Sequence, residues 1–401
     1  MLLMSFFLLI FANRKEKRIE NYMMTLHIFN PEHDLALAAG LANFTAPHAG
    51  RQLRHDLGFL PALWAKEDDV VLVEDPKQAE KALKKLQLPI PCSQFISASG
   101  LAKLAAVTNI EPWGWDSALS AMLVRKGVNP ALMPTESQMA DIRQLSHRRE
   151  AQRLLNKLRR TAEGTEWCEL LTGESFECTT LDEVHHLLSK HGSLILKSPW
   201  SSSGRGLQFV NASNPVNNQR FIHIVEAQGS LMVEPYYHKV RDLGMEFCSD
   251  GQGNVSYEGL SLFHTENGAY TGNILATEEA KRKVVSRYLP LGLLDWVQMQ
   301  IATEMGARLK GRYRGPFGVD MMVVAHHSMA DGQCSPINVL HPCVEINLRR
   351  TMGHVALTLS RMVNPKADDE LCRVMRIDYE NTRTSSDNSI NKIYRLKIKH
   401  L

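Results

Sequence analysis

Three oxygen-bearing side chains stand on two apolar runs in the C-terminal part of this 401-residue sequence. Asp320 lies in GPFGVDMMVV (315–324), Glu345 and Asn347 lie in CVEIN (343–347), and a DGQ turn (331–333) separates the runs. Alternation along a strand points residues two apart to one face, so Glu345 and Asn347 share a side, and a hairpin brings Asp320 beside them. Such a face on otherwise apolar strands is electrostatically unfavourable without a cation. A hard divalent ion with oxygen ligands answers it, Mg²⁺ first and Mn²⁺ as the alternative. A solvent-facing hairpin side with ordinary polar residues is the other reading, and the apolar flanks argue against it. Alternation also puts Arg349, not Arg350, on the face of Glu345, where a guanidinium can hold a transferring phosphoryl group or a carboxylate in bidentate fashion.

A second cluster begins at Lys197, near the end of the apolar run SLILKSP (193–199). An ammonium there is costly to bury unless an anion meets it. The segment that follows contains Ser201, Ser202, Ser203, Gly204 and Gly206. Its hydroxyls and backbone N–H groups suit a phosphate, because glycine lets the backbone approach closely. The pattern is neither a Walker A loop nor GxGxxG. Taken alone it reads equally well as a hairpin turn between SLILK and LQFV (207–210).

The elements that must position these groups are legible in outline. TLHIF (25–29) reads as a strand, NPEHD (30–34) as a loop, 35–42 as a helix, DDVVLVEDP (68–76) as a strand covered on both faces, and 79–87 as an amphipathic helix. That alternation predicts a small α/β domain to about residue 130. Asn30, His33 and Asp34 follow its first strand, where open α/β sheets hold ligands; they either touch a substrate or, for Asp34, cap the next helix. Trp113, Gly114 and Trp115 either line a pocket or pack a domain joint. Residues 135–159 read as helix with a break near Ser146, which would cap a second helix. LDEVHHLLSK (181–190) is a helix, LMVEPYY (231–237), RDLGMEFCSD (241–250) and SYEGLSLFH (256–264) are strands, and 278–308 is helical. Residues 382–391 read as a polar mobile tail and IYRLKIKHL as a short strand or disorder. Arg241, His264, Tyr270, Asn273 and Arg312 are candidates for a substrate pocket, each with a surface or packing role as the alternative.

Composition narrows the class. Lys and Arg total 46 against 43 Asp and Glu, a net charge of +3, without the excess of a general nucleic-acid binder. With 44% hydrophobic and 22% charged residues the chain is globular, not disordered, collagen-like or multi-spanning. Seven cysteines without a CxxC pair read as free thiols in a reducing, cytoplasmic setting. Met1 to Ala12 is apolar but too short to span a membrane comfortably, and lacks the charge order of a secretory signal. Residues 1–22 therefore read as a start-site extension, with peripheral membrane attachment as the alternative.

In order and spacing these residues resemble the ATP-grasp superfamily of ATP-dependent ligases, over roughly residues 135–360. The resemblance rests on Lys197 before SSSGRG, on MVEPYY, and on GPFGVDMMVV with the ExNxR pattern at Glu345, Asn347 and Arg349. It implies a combined α/β and α+β chain: two α+β subdomains clasping ATP, after a small α/β pre-ATP-grasp domain. The implied divisions are an extension (1–22), the pre-ATP-grasp domain (23–133), a small lid subdomain (134–236), a large subdomain with the metal site (237–375) and a polar tail (376–401). Lys197 would contact the α- and β-phosphates, with the 201–206 loop closing over the β/γ end. Arg148 would be an earlier basic nucleotide contact, where lysine is commoner. Glu234, Tyr236 and Tyr237 would hold adenine through backbone groups, the Glu234 carboxylate being available to ribose, while Pro235 removes one backbone donor. Asp320, Glu345 and Asn347 would hold one or two Mg²⁺, and Arg349 and Lys197 would be catalytic.

The implied reaction is ATP-dependent joining of a small-molecule carboxylate to an amine through an acyl phosphate, releasing ADP and phosphate. A phosphotransferase acting on a small molecule, or a non-catalytic nucleotide sensor or scaffold, are the alternatives. The expected partners are small molecules without nucleic acid or a membrane span, and a homodimer is admitted.

Overall fold

The computed structural model describes residues 24–90, 94–104, 107–201, 206–266, 269–330, 333–363, 373–383 and 390–400. The 1–22 extension, Ser202, Ser203, Gly204, Asp331, Gly332 and residues 384–389 of the expected tail lie outside the described residues.

The first unit is a parallel sheet of β1 (Met24–Ile28), β2 (Val70–Leu72), β3 (Gln94–Ile96) and β4 (Val107–Pro112) in the order β3-β2-β1-β4. Leu26, Val70 and Val71 are fully buried, which is why the second strand reads as a continuous apolar run. Helices α1 (His33–Ala39), α2 (His48–Leu57), α3 (Pro76–Lys84) and α4 (Ser117–Arg125) connect and flank it. Asp75 caps α3 by accepting from the Lys77 and Gln78 N–H groups, and Asp116 caps α4 by accepting from Leu119 N–H.

Helices α5 (Glu136–Leu145) and α6 (Arg149–Ala162) follow, with the expected break between them. Ser146 caps no second helix: its hydroxyl donates to the Ile142 carbonyl one turn back, and Arg148 stands at the start of α6. An antiparallel sheet comes next, ordered β5-β8-β6-β7, from β5 (Phe176–Cys178), β6 (Ser193–Lys197), β7 (Leu207–Asn211) and β8 (Leu231–Pro235). Helices α7 (Leu181–His191) and α8 (Asn218–Gln228) cover one face, where Leu194, Leu196, Val210, Leu231 and Val233 pack with Val184 and Phe221. Alternation therefore sends Ser193, Ile195 and Lys197 to the opposite face.

The largest sheet has the order β13-β12-β9-β10-β11-β14-β15. Its strands are β9 (Lys239–Ser249), β10 (Val255–Glu266), β11 (Ala269–Leu275), β12 (Gly315–Ala330), β13 (Gln333–Asn347), β14 (Arg373–Arg383) and β15 (Ile390–His400). Helices α9 (Glu278–Val285) and α10 (Leu291–Leu309) lie between β11 and β12, and α11 (Met352–Val363) follows β13. Leu154, Leu155 and Leu158 of α6 share a core with Val297 and Ile301 of α10 and with Phe247 and Val319 of the sheet. Helices α5 and α6, expected within the lid, thus pack on the large unit, because the apolar stripe of α6 faces that core, whereas α7 and α8 stay with the four-stranded sheet.

The segment expected to be a tail is corrected more sharply. Residues 373–383 and 390–400 form the β14–β15 hairpin that extends the large sheet. Met375 and Leu396 join Val355 and Leu359 of α11 and Leu57 and Leu60 of the first unit in one core. The sparse apolar positions of this segment alternate, and alternation suffices for a strand that buries one face. Met375 is fully buried, so Met375→Ala should cost about 2–5 kcal/mol, read as a lower urea midpoint; an unchanged midpoint would mean that this hairpin carries no core.

Candidate active site

The charged face of the four-stranded sheet follows from its register. Ile195 pairs with Glu234, and Lys197 lies two residues further along the same face. The Lys197 Nζ stands 2.6 Å from Glu234 Oε2, with each residue only 6% exposed. The anion demanded by a buried ammonium is supplied by the chain itself. Ser175 also reaches Glu234, at 3.5 Å, so this carboxylate is engaged rather than open to a ribose.

Arg148, at the start of α6, crosses the cleft. Its guanidinium donates to the Ser198 carbonyl, to Ser201 Oγ at 2.7 Å and to the Ser201 carbonyl at 3.2 Å. It also donates to Glu345 Oε1 at 2.8 Å. Gly206 has a positive φ of 85°, and a Cβ there would stand 2.9 Å from Ser198 Oγ, so the loop returns only with glycine. Ser198 and Ser201, just after Lys197, are thereby held by Arg148, and Arg148 by Glu345 of the large sheet.

On that sheet Asp320 pairs with Glu345, and Gly318 with Asn347. The hairpin brings the three oxygen-bearing side chains onto one patch. Asn347 Nδ2 donates to Asp320 Oδ2 at 2.9 Å. Burial, then the nearby Glu345 and Glu246 carboxylates, push the Asp320 carboxyl up to about 8. Glu246 was missed in the sequence; it is buried under the patch on β9, accepting from Thr351 Oγ1 at 2.8 Å and facing His354. Close packing enforces its place, since a Cβ on Gly353 would sit 1.7 Å from Glu246 Oε1.

Arg349 extends the network into the first unit. Its Nε donates to Asp34 Oδ2 at 3.0 Å, and Nη2 donates to Asp34 Oδ2 at 2.8 Å and to Asn347 Oδ1 at 2.9 Å. Nη1 donates to the Arg350 carbonyl. Of five guanidinium N–H groups one remains, so the bidentate capacity expected for a substrate is spent on Asp34. Burial alone would raise the Asp34 carboxyl, but Arg349 holds it below its usual range. Asp34 caps no helix; α1 begins without a side-chain cap. Asn30 donates to the Gly114 carbonyl and to Asp116, and His33 packs against Gly114, so these loop residues are joints within the first unit.

A cavity of about 240 Å³ opens over the patch, lined by Asp320, Glu345, Asn347, Arg349, Tyr270 and Asn273, with Trp113 and Phe29 from the first unit. Arg312 is not there: it pairs with Asp141 at 2.7 Å. Neither Arg241 nor His264 lines this cavity. Tyr236 is exposed, its N–H spent on the Ser193 carbonyl at 3.0 Å and its ring against Phe209. The Tyr237 hydroxyl accepts from Glu174 N–H, and its ring meets His341 edge-on. His341 is fully buried with neither ring nitrogen hydrogen-bonded. Burial, then the Lys197 ammonium, pull it down to about 3, so it is a neutral wall.

No protein-family description matches the sequence, and no curated protein matches it. Among solved structures, N5-carboxyaminoimidazole synthetase from Staphylococcus aureus complexed with ADP is 13% identical with a TM-score of 0.45, covering 88% of this chain and 82% of that one. Biotin carboxylase from Campylobacter jejuni is 12% identical with a TM-score of 0.47, covering 95% and 88%. The biotin carboxylase domain of Hydrogenobacter thermophilus 2-oxoglutarate carboxylase is 13% identical with a TM-score of 0.45, covering 93% and 85%. Among the described residues, no helix is long and apolar enough to cross a membrane.

The Asp320 carboxyl gives a pH test. An unfolded Asp ionises near 3.9, whereas the folded group stays protonated to about 8. Between these values the folded state holds the extra proton, so stability in chelator should fall as pH rises, by up to roughly 1.4 kcal/mol per unit. Asp320→Asn should flatten that slope in urea titrations; an identical slope in both proteins would contradict the assignment.

Proposed function

We propose that this chain is an ATP- and Mg²⁺-dependent ligase that activates a small-molecule carboxylate as an acyl phosphate and joins it to an amine, releasing ADP and phosphate. One observation carries the reading. Arg148 donates at once to Ser198 and Ser201 and to Glu345, so the lysine-bearing sheet and the carboxylate-bearing hairpin face a single cleft.

The donor set suits the ion. Asp320, Glu345 and Asn347 offer only oxygen as ligand atoms, and two close carboxylates, one of them strongly raised, are the imbalance a divalent cation relieves. No cluster of three His, Cys, Asp or Glu side chains able to hold a metal occurs among the described residues. Asp320, Glu345 and Asn347 would supply few protein oxygens, and substrate phosphates would complete the coordination. Bound there, Mg²⁺ would neutralise phosphate oxygens on the transferring group.

The chain's own groups do the rest. Lys197 exchanges its Glu234 partner for phosphate oxygens, and Arg148 releases Glu345 to do the same. Arg349 keeps one N–H without a partner and lines the cavity over the patch, where the acceptor carboxylate has room. No covalent nucleophile is required; alignment and charge neutralisation supply the rate. Phe29 and Trp113 of the first unit wall that cavity, which limits the water that would hydrolyse an acyl phosphate.

Release of ADP should therefore require Mg²⁺, a carboxylate and an amine together, and Glu345→Gln should lower turnover by about 10²-fold or more. A coupled ADP assay over a panel of amino acids and other carboxylates reads both effects. AMP as product, or turnover indifferent to Mg²⁺, would contradict the proposal, and a stable phosphorylated alcohol would convert it to a phosphotransferase.

A further inference from the structure

One row of paired residues crosses the large sheet, from Arg241 on β9 through His264 on β10 and Gly272 on β11 to Arg376 on β14 and Lys397 on β15. The step from β9 to β10 follows from Asp242 standing opposite Phe263. Directly paired residues share a face. Leu243, Leu262 and Ile274, two residues along on the same face, are buried with Val297 and Ile301 of α10. The basic row lies where that cover ends: His264 is exposed, and Arg241 and Arg376 are half-buried.

This row holds cations without an anion of their own. Neither Arg241 nor Arg376 has a hydrogen-bond or ion-pair partner among the described residues. The nearby carboxylates are engaged elsewhere. Asp378 pairs with Lys397 at 3.2 Å and Lys399 at 3.6 Å, which also spends Lys397. Asp242, on the other face, pairs with Lys239 at 2.6 Å and accepts from Thr265 at 2.7 Å. Glu266, two residues beyond His264, makes no ion pair with either arginine among the described residues. Like charges gathered along a row of strands repel, and an anion between them relieves the repulsion.

The two guanidinium groups act on one point. Gly272 puts no side chain between His264 and Arg376, and Arg376 uses the gap: a Cβ on Gly272 would stand 3.1 Å from Arg376 Cγ, so the arginine stem leans over β11 toward His264. From the other side Arg241 neighbours His264 directly. Its Nε is enclosed without a partner while its terminal nitrogens stay open to solvent, so the stem is held and the tip presented. Burial first, then Arg241 and more weakly Arg376, hold the His264 imidazole below its usual range against the pull of Asp242. Strands β9 and β14 lie three strand spacings apart, about 14 Å, a span that two inward-leaning arginines and one bridging oxyanion fill.

We propose that this row binds a phosphate group, with Arg241 and Arg376 donating to its oxygens from either side and the exposed His264 ring donating between them. Binding there is independent of the ligase reading, because the row lies on the opposite face of the sheet from Phe263 and Asn273, which line the cavity over the carboxylate patch.

Calorimetric titration of the full chain with inorganic phosphate and with phenyl phosphate, at fixed ionic strength in chloride, tests the site without nucleotide. The tighter of the two probes distinguishes free phosphate from a phosphate ester as the ligand. Arg241→Gln with Arg376→Gln should weaken that probe about ten-fold or more. Arg376→Gln alone, which leaves the enclosed stem of Arg241 in place, should weaken it in the same direction. Phosphate should also raise the urea midpoint of the unaltered chain more than that of the double variant. Unchanged affinity in both variants, or equal rises in the two midpoints, would overturn the proposal, whatever the outcome of ATP turnover.

Discussion

The ion pair between Arg148 and Glu345 holds the two halves of the cleft in register. Arg148 stands where α6 begins, and α6 is fixed by Leu154, Leu155 and Leu158 in the core of the large sheet. From that anchored base its guanidinium reaches the backbone of the 198–201 segment and the edge strand β13 together. A buried guanidinium with several acceptors is stable only if all of them stay in place, because losing one leaves charge uncompensated. The sheet bearing Lys197 is therefore tied to the large unit by electrostatics and by shared packing.

The same logic runs through the rest of the site. Lys197 with Glu234 inside the four-stranded sheet, and Arg349 with Asp34 across two units, are oppositely charged pairs that are buried or half-buried. Each is satisfied within the chain, yet each involves a group that anionic ligands could recruit. Asp34 adds a coupling absent from either sheet alone. Through Arg349 it fixes the Asn347 carboxamide, which in turn donates to Asp320. The first unit thus reaches the carboxylate patch by three consecutive polar contacts, and a displacement of α1 would be felt there.

Much of this was legible in the sequence wherever it depended on period or residue type. SLILK and VEIN announced their faces by alternation, and the pairing of Asp320 with Glu345 followed from two apolar runs separated by a short turn. Partners across long sequence separations were not legible. Nothing near Arg349 indicates that a carboxylate 315 residues away would take two of its five donors. Glu246 stayed hidden because one acid in an apolar strand carries no pattern; only the close approach of Gly318 and Gly353 to its oxygens reveals its place. The C-terminal hairpin was read only in part: IYRLKIKHL was admitted as a strand, but its polar residues outnumber the few that reach the core, although Met375 and Leu396 suffice to seat it.

Crystallisation with Mn²⁺ and a non-hydrolysable ATP analogue would locate both the ion, by its anomalous scattering, and the nucleotide relative to Lys197 and Arg148. A metal peak is expected within bonding distance of Asp320 and Glu345, with phosphate oxygens on Lys197 Nζ and Arg148 turned from Glu345 toward the nucleotide. A metal peak elsewhere, or a nucleotide bound away from Lys197 with the Arg148 to Glu345 pair intact, would contradict this arrangement.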